Sequence, residues 1–161
     1  MKRSEHYAGS MILGLNDTII ELTGVIAGLT LAFLNTTIVG IAALITGITA
    51  ALSMSASEYL SKKIMGEGDF LKHSLYTGIA YFIAVIVLVI PFFIMSYYFH
   101  ALIFTLINAT ILIFIFTLYL SKTRKQPFGK RFFEILSISL GIAAVSFVIG
   151  MIIRNFLNIQ L

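Results

Sequence analysis

The feature that most constrains this chain is a set of five long apolar stretches with almost no charge inside them. A helix needs ~20 mainly apolar residues to cross a bilayer. Stretches of that length recur here at about 9–34, 38–60, 75–95, 100–120 and 132–153. They predict an all-α integral membrane protein of five transmembrane helices, organised as a single transmembrane domain over 1–161. Only 11% of the residues are charged, against ~25% in a soluble domain. The chain therefore lacks the polar surface that water demands, and a multi-pass location follows: the cell membrane in a prokaryote, an organelle membrane otherwise.

The connections are short. Asn35-Thr36-Thr37 joins the first two spans, Ser61 to Ser74 the next two, and Ser121 to Arg131 the last two. Tyr97-Tyr98-Phe99 sits between the third and fourth, as an interfacial aromatic belt does. Lys2, Arg3, Lys62, Lys63, Lys72, Lys122, Arg124, Lys125, Lys130 and Arg131 all fall on one side of the five-span scheme, and of the eleven basic residues only Arg154 falls on the other. The positive-inside rule then puts the N-terminus in the cytoplasm and the C-terminus outside or in a lumen. The same asymmetry accounts for the net charge of +4 without a nucleic-acid partner. A full-length span follows the charged N-terminus, so no cleavable signal peptide is expected. The absence of cysteine excludes a disulfide framework, a thiolate metal site and a Cys nucleophile.

Chemistry is concentrated in Gly14-Leu15-Asn16-Asp17-Thr18-Ile19-Ile20-Glu21 of the first span. Asp17 and Glu21 are four apart and share one helix face. An ionisable group at the bilayer centre costs ~3 kcal/mol on insertion scales, and no Lys or Arg inside a span can pair with these two. A bound cation is the natural counter-charge, with Asn16 and Thr18 as further oxygen ligands. Two other readings stand beside it: protonated carboxylates that hydrogen-bond across helices, or an Asp17 that snorkels to the surface, which suits the deeper Glu21 poorly.

The second span adds Met54 and Glu58, also four apart and at a depth similar to Asp17. Carboxylates with a thioether suit a borderline divalent transition metal better than Mg²⁺ or Ca²⁺. Plain packing is the alternative for Met54, and a helix-end pair with Lys62 is the alternative for Glu58. Gly24 with Gly28, and the stripe Ala43, Gly47, Ala51 and Ser55, predict close helix contact within or between subunits. His6, His73 and His100 are scattered over termini and loops and form no HxxH or HxxxH pair. Asn108 and Thr110 are expected to hydrogen-bond between helices, and Glu134 to pair with Lys130. Glu67 and Asp69 read as a solvated loop.

The motifs Gly14-Leu15-Asn16-Asp17, Gly24-Val25-Ile26-Ala27-Gly28-Leu29 and Ser53-Met54-Ser55-Ala56-Ser57-Glu58-Tyr59-Leu60-Ser61 resemble the vacuolar iron transporter family, also called the yeast calcium-sensitive cross-complementer family. Gly141-Ile142-Ala143-Ala144 with Gly150 is a weaker echo. The resemblance implies a homodimer that moves Fe²⁺, and often Mn²⁺, out of the cytoplasm in exchange for protons. Its ion path would lie between subunits, lined by the first helix. The family's first-helix Asp falls on Asp17 and its second-helix Met on Met54. This chain has Thr18 where the family often has Gly, and Thr46 where many members have Glu; Glu21 is expected to replace that missing charge. The Glu-rich metal-collecting domain of plant and fungal members is absent, with only Ser61 to Ser74 in its place, so this is a short form.

The leading expectation is thus a dimeric divalent-metal exporter with Asp17, Glu21, Met54 and Glu58 as metal residues, Glu58 receiving the ion from the cytoplasm. The metal is cargo, and no cofactor is expected. The alternative is a non-transporting membrane scaffold or assembly protein. An intramembrane enzyme ranks last, for want of a His cluster or a nucleophile–base pair.

Overall fold

Each apolar stretch becomes one helix: α1 (Arg3–Phe33), α2 (Thr36–Ile64), α3 (Phe70–Ile94), α4 (Tyr98–Arg124) and α5 (Phe128–Leu157). The computed structural model describes residues 3–66 and 68–157. Lys2 and Glu67, and the side chains of Arg3, His6 and Arg124, lie outside the described residues. All five helices are long and apolar enough to cross a membrane, and no strand occurs among the described residues. The chain is an integral multi-pass membrane protein.

The helices outrun the apolar stretches by up to six residues at their basic ends, because Lys, Ser and Arg are compatible with helix where headgroups and water begin. The connections shrink accordingly, and local stereochemistry sets their limits. After α1, Leu34 turns left-handed (φ 48), and the Asn35 side chain caps α2 by accepting from the Ile38 amide at 3.0 Å, which offsets one orphan donor. After α2 the chain turns through Gly66 (φ 69), where a Cβ would be strained. Lys125 (φ 51) stops α4, and Pro127 cannot continue it. These shorter connections correct the expected loop at Ser61 to Ser74. They also move His73 from a loop into α3, where it is buried.

Cross-helix contacts fix the register. Ser10 of α1 meets Glu58 of α2 and His73 of α3, and Glu21 meets Tyr81. Thus α1 and α3 run parallel, with α2 antiparallel to both. Thr105 and Asn108 of α4 reach Leu88 and Val87 of α3, and Ser139 of α5 reaches Ile19 of α1. The five helices therefore alternate. The α2–α3 and α4–α5 turns share one end of the bundle with the start of α1; this is the basic end. The most polar helix, α1, touches all four others, which buries Ser10, Thr18, Thr23 and Thr30 within the protein. The other helices turn isoleucine, leucine and phenylalanine outward, as a lipid-facing surface requires.

Small residues bring the helices of the chain into close contact. Gly24 packs on Ile142 and Ser146 of α5, and Gly28 on Ser146 and Gly150. A Cβ at Gly150 would run into the Gly28 carbonyl. The α2 stripe faces α3: Gly47 against Val85, and Ser55 against Ser74 and Gly78. Apolar lipid offers no hydrophobic drive for helix association, so backbone approach of this kind carries the packing.

Pro91, inside α3, has no N–H, so the Val87 carbonyl loses its helical partner. The Asn108 side chain supplies it, donating from Nδ2 at 2.9 Å. Asn108 is an interhelical partner, as expected. Thr110 is not, since its hydroxyl donates back to Leu106 at 2.8 Å within α4. Glu134 pairs with Arg131 at 3.1 Å rather than with Lys130, because i,i+3 neighbours are also adjacent on a helix and the longer guanidinium reaches it.

Candidate metal site on the first helix

Asp17 and Glu21 stand one turn apart on α1. Asp17 is partly buried and Glu21 is exposed, on a helix that contacts all four others. From α3, the Tyr81 hydroxyl donates to Glu21 Oε2 at 2.8 Å and stands within electrostatic range of Asp17. Tyr81 is only 1% exposed, so its ring is held by the core and only its hydroxyl reaches the acidic face. Beside Glu21 an open groove of about 350 Å³ runs between α1 and α5, floored by Gly24, Gly28 and Ser146. The close α1–α5 packing thus places a carboxylate at the end of a channel-like depression on the flank of the bundle.

The other expected ligands divide. Thr18 is fully buried, and its hydroxyl donates to the Gly14 carbonyl at 2.6 Å, a back-bond typical of helical threonine. Asn16 faces a different cavity, between α1, α4 and α5. Neither joins the Asp17–Glu21 face. Met54 is partly buried and packs against the apolar core.

Glu58 is buried at 8% exposure and accepts from the Ser10 hydroxyl at 2.6 Å. Ser10 also lies 2.8 Å from His73 Nδ1, and Thr77 donates to the Ser10 carbonyl at 3.1 Å. These contacts tie α1, α2 and α3 together at the basic end. Since Ser10 precedes Asp17 by seven residues, this cluster lies ~10 Å towards the basic end from Asp17. The antiparallel register sets Met54 level with Gly14, about one turn below Asp17, and Thr46 level with Leu22, next to Glu21.

Tyr81, Ser10 and His73 were missed by sequence reasoning. Tyr81 sits in an apolar run and gives no local signal. His73 could have been found: extending α3 by one turn would have placed it on the same face as Thr77, four residues on.

Among the described residues, no three His, Asp or Glu side chains converge closely enough to hold a metal ion. The described residues bring two carboxylates and a phenol together on this face. A cation entering there meets hard oxygen donors alone, with the Met54 sulfur nearer the basic end.

A bundle of five membrane-crossing helices, its central helix carrying paired carboxylates beside a groove, defines a polytopic α-helical membrane protein with an acidic intramembrane face. More particularly, residues 8–67 match the family model of the VIT family, the vacuolar iron transporters. The match covers α1, α2 and the turn after them, which hold Asp17, Glu21, Met54 and Glu58. No curated protein matches the chain.

Proposed function

We propose that the protein carries Fe²⁺ or Mn²⁺ out of the cytoplasm, in exchange for protons, along a path between two copies of the chain; the match of residues 8–67 to the VIT family model supports metal-ion transport. One observation carries this reading. Glu21 is exposed on the flank of a transmembrane helix, where a bare carboxylate facing lipid costs ~3 kcal/mol. A second copy packed on that flank covers it, and brings two Asp17 and two Glu21 side chains around one axis. Four carboxylates there bind a divalent cation that a single chain cannot enclose.

Met54 and Glu58 lie on the approach from the basic end, which the positive-inside rule assigns to the cytoplasm. The thioether favours a softer cation than Mg²⁺. Glu58 meets the ion first, once Ser10 releases it. Protons and metal compete for the same carboxylates, so loading at one face and release at the other exchanges one for the other. The register supports Glu21 as the substitute for the Glu that Thr46 replaces, because the two positions lie level on adjacent helices.

Reconstitution into proteoliposomes tests the reading. The wild-type protein is expected to accumulate Fe²⁺ or Mn²⁺ with a matching proton counter-flow reported by a pH dye. Asp17→Ala and Glu21→Ala are each expected to abolish both. Undiminished metal uptake in either variant removes the assignment.

A further inference from the structure

A second polar cavity, of about 320 Å³, opens at the basic end between α1, α4 and α5. Asn16 of α1, Gln126 of the α4–α5 turn and Arg131 of α5 provide its polar lining, and Ile12 and Phe116 its apolar wall. The Asn16 Oδ1 atom is buried there without a hydrogen-bond partner, a state that is unfavourable unless a ligand relieves it. Arg131 donates from Nε to Gln126 at 2.6 Å and from Nη1 to Glu134 at 3.1 Å. These contacts hold the guanidinium at the cavity while neither engages Nη2.

The same Ile12 and Phe116 also line a neighbouring cavity of about 280 Å³. Its remaining walls are apolar apart from Tyr119, and it passes Leu15 and Leu112 between α1 and α4. Leu15 follows Ile12 on a helix that leaves the basic end, and Leu112 precedes Phe116 on one that returns to it. The apolar cavity therefore leads from the polar one towards the middle of the membrane. A polar pocket at the interface that continues into an apolar groove has the form of a phospholipid: a headgroup above, an acyl chain below.

Charge selects the headgroup. Arg131 lines the pocket, and Lys122, Lys125 and Lys130 stand in the same turn region; basic pockets between transmembrane helices bind anionic headgroups. A guanidinium in the wall repels a divalent cation, so this cavity is separate from the metal face. We propose that the pocket and groove hold one anionic phospholipid, with its phosphate on Arg131, a headgroup hydroxyl donating to Asn16 Oδ1, and one acyl chain along Ile12 and Phe116. Bound there, the lipid ties α4 to α1 and α5 beside the turn that joins α4 and α5.

The test uses the full chain in a neutral maltoside detergent, read by native mass spectrometry and by thermal unfolding. The probes are phosphatidylglycerol, phosphatidylcholine and inorganic phosphate. Phosphatidylglycerol is expected to bind at least about tenfold more tightly than phosphatidylcholine, whose choline cation is repelled by Arg131 and the nearby lysines and brings no hydroxyl to Asn16, and to raise the melting temperature. Inorganic phosphate, lacking the chain, is expected to do neither. Arg131→Gln, a change at a partly exposed side chain, is expected to weaken phosphatidylglycerol binding by about tenfold, the scale of one charge-assisted hydrogen bond. Leu112→Trp, which fills the groove, is expected to weaken both lipids. Equal binding of the two lipids by the wild type, or undiminished phosphatidylglycerol binding by Arg131→Gln, overturns the proposal. So does a thermal shift from inorganic phosphate equal to that from phosphatidylglycerol.

Discussion

Glu21 and Glu58 are both glutamates in membrane-crossing helices, and each accepts a hydrogen bond from a hydroxyl on a neighbouring helix. Their surroundings differ in every other respect. Glu58 is buried, its Ser10 donor is shared with His73, and the three side chains come from three helices. Glu21 has its Tyr81 bond but faces outward beside an open groove. A buried carboxylate held by a short hydrogen bond has a partner inside the bundle, and a cation gains it only by displacing that bond. An exposed carboxylate in a membrane helix is unsatisfied until something covers it. This physical difference supports Glu21, with Asp17 one turn away, as the cation ligand of the proposed transport path, and Glu58 as a clasp between helices.

The largest expected effect separates the two directly. Glutamine at either position keeps an oxygen that accepts from the neighbouring hydroxyl but removes the charge. Glu21→Gln is expected to cut Fe²⁺ or Mn²⁺ transport by about tenfold or more, since ~1.4 kcal/mol of lost cation binding suffices for that, with the melting temperature of the detergent-solubilised protein unchanged. Glu58→Gln is expected to have the smaller effect on transport. If liposome assays return the reverse order, the metal-binding role belongs to the basic-end cluster and the comparison is turned round.

A smaller effect concerns stability. Glu58→Ala removes the buried carboxylate that accepts from the Ser10 hydroxyl, and a lost hydrogen bond to a charged group costs ~1.5–3 kcal/mol. Thermal unfolding is expected to show that loss, with Glu58→Gln closer to wild type because the Ser10 bond survives. Glu21→Ala, at an exposed site, is expected to shift unfolding less than Glu58→Ala. Equal destabilisation by the two alanine variants would show that Glu21 is as much a clasp as Glu58.

Much of the architecture was legible because the bilayer demands it. Five apolar stretches give five helices, and the four-residue spacing of Asp17 and Glu21 puts them on one face whatever the tertiary fold. The stripe at Gly47 and Ser55 and the pair Gly24–Gly28 announced close packing; which helices they would meet depended on register, set by contacts far apart in sequence. Tyr81 was illegible for the same reason, being one aromatic residue among apolar neighbours until α3 lies against α1. Thr18 and Asn16 misled because adjacency in sequence is not adjacency on a helix: each residue turns ~100° from the last. Asn16 thus faces α4 and α5, while Thr18 is buried against the bundle. Glu58 read as an accessible helix-end carboxylate because the sequence gives no sign of Ser10, forty-eight residues away.

The smallest expected effect extends the contrast from side chains to the backbone. The Val87 carbonyl is another acceptor in the membrane interior, left open by Pro91 and filled by Asn108. Interhelical hydrogen bonds in membranes average ~0.6 kcal/mol by double-mutant cycles, so Asn108→Leu is expected to cost about that amount in thermal unfolding. In a Pro91→Ala background the helix supplies its own donor from residue 91, and the Val87 carbonyl no longer needs Asn108. The cost of Asn108→Leu is then expected to change, giving a measurable coupling between two residues on different helices. A cycle with no coupling would mean that Asn108 contributes by packing alone. A positive coupling would show that this bundle satisfies an open acceptor in its interior from the facing helix. Glu58 obeys the same rule through Ser10, and exposed Glu21, for all its Tyr81 bond, is the carboxylate that still looks outward for a partner.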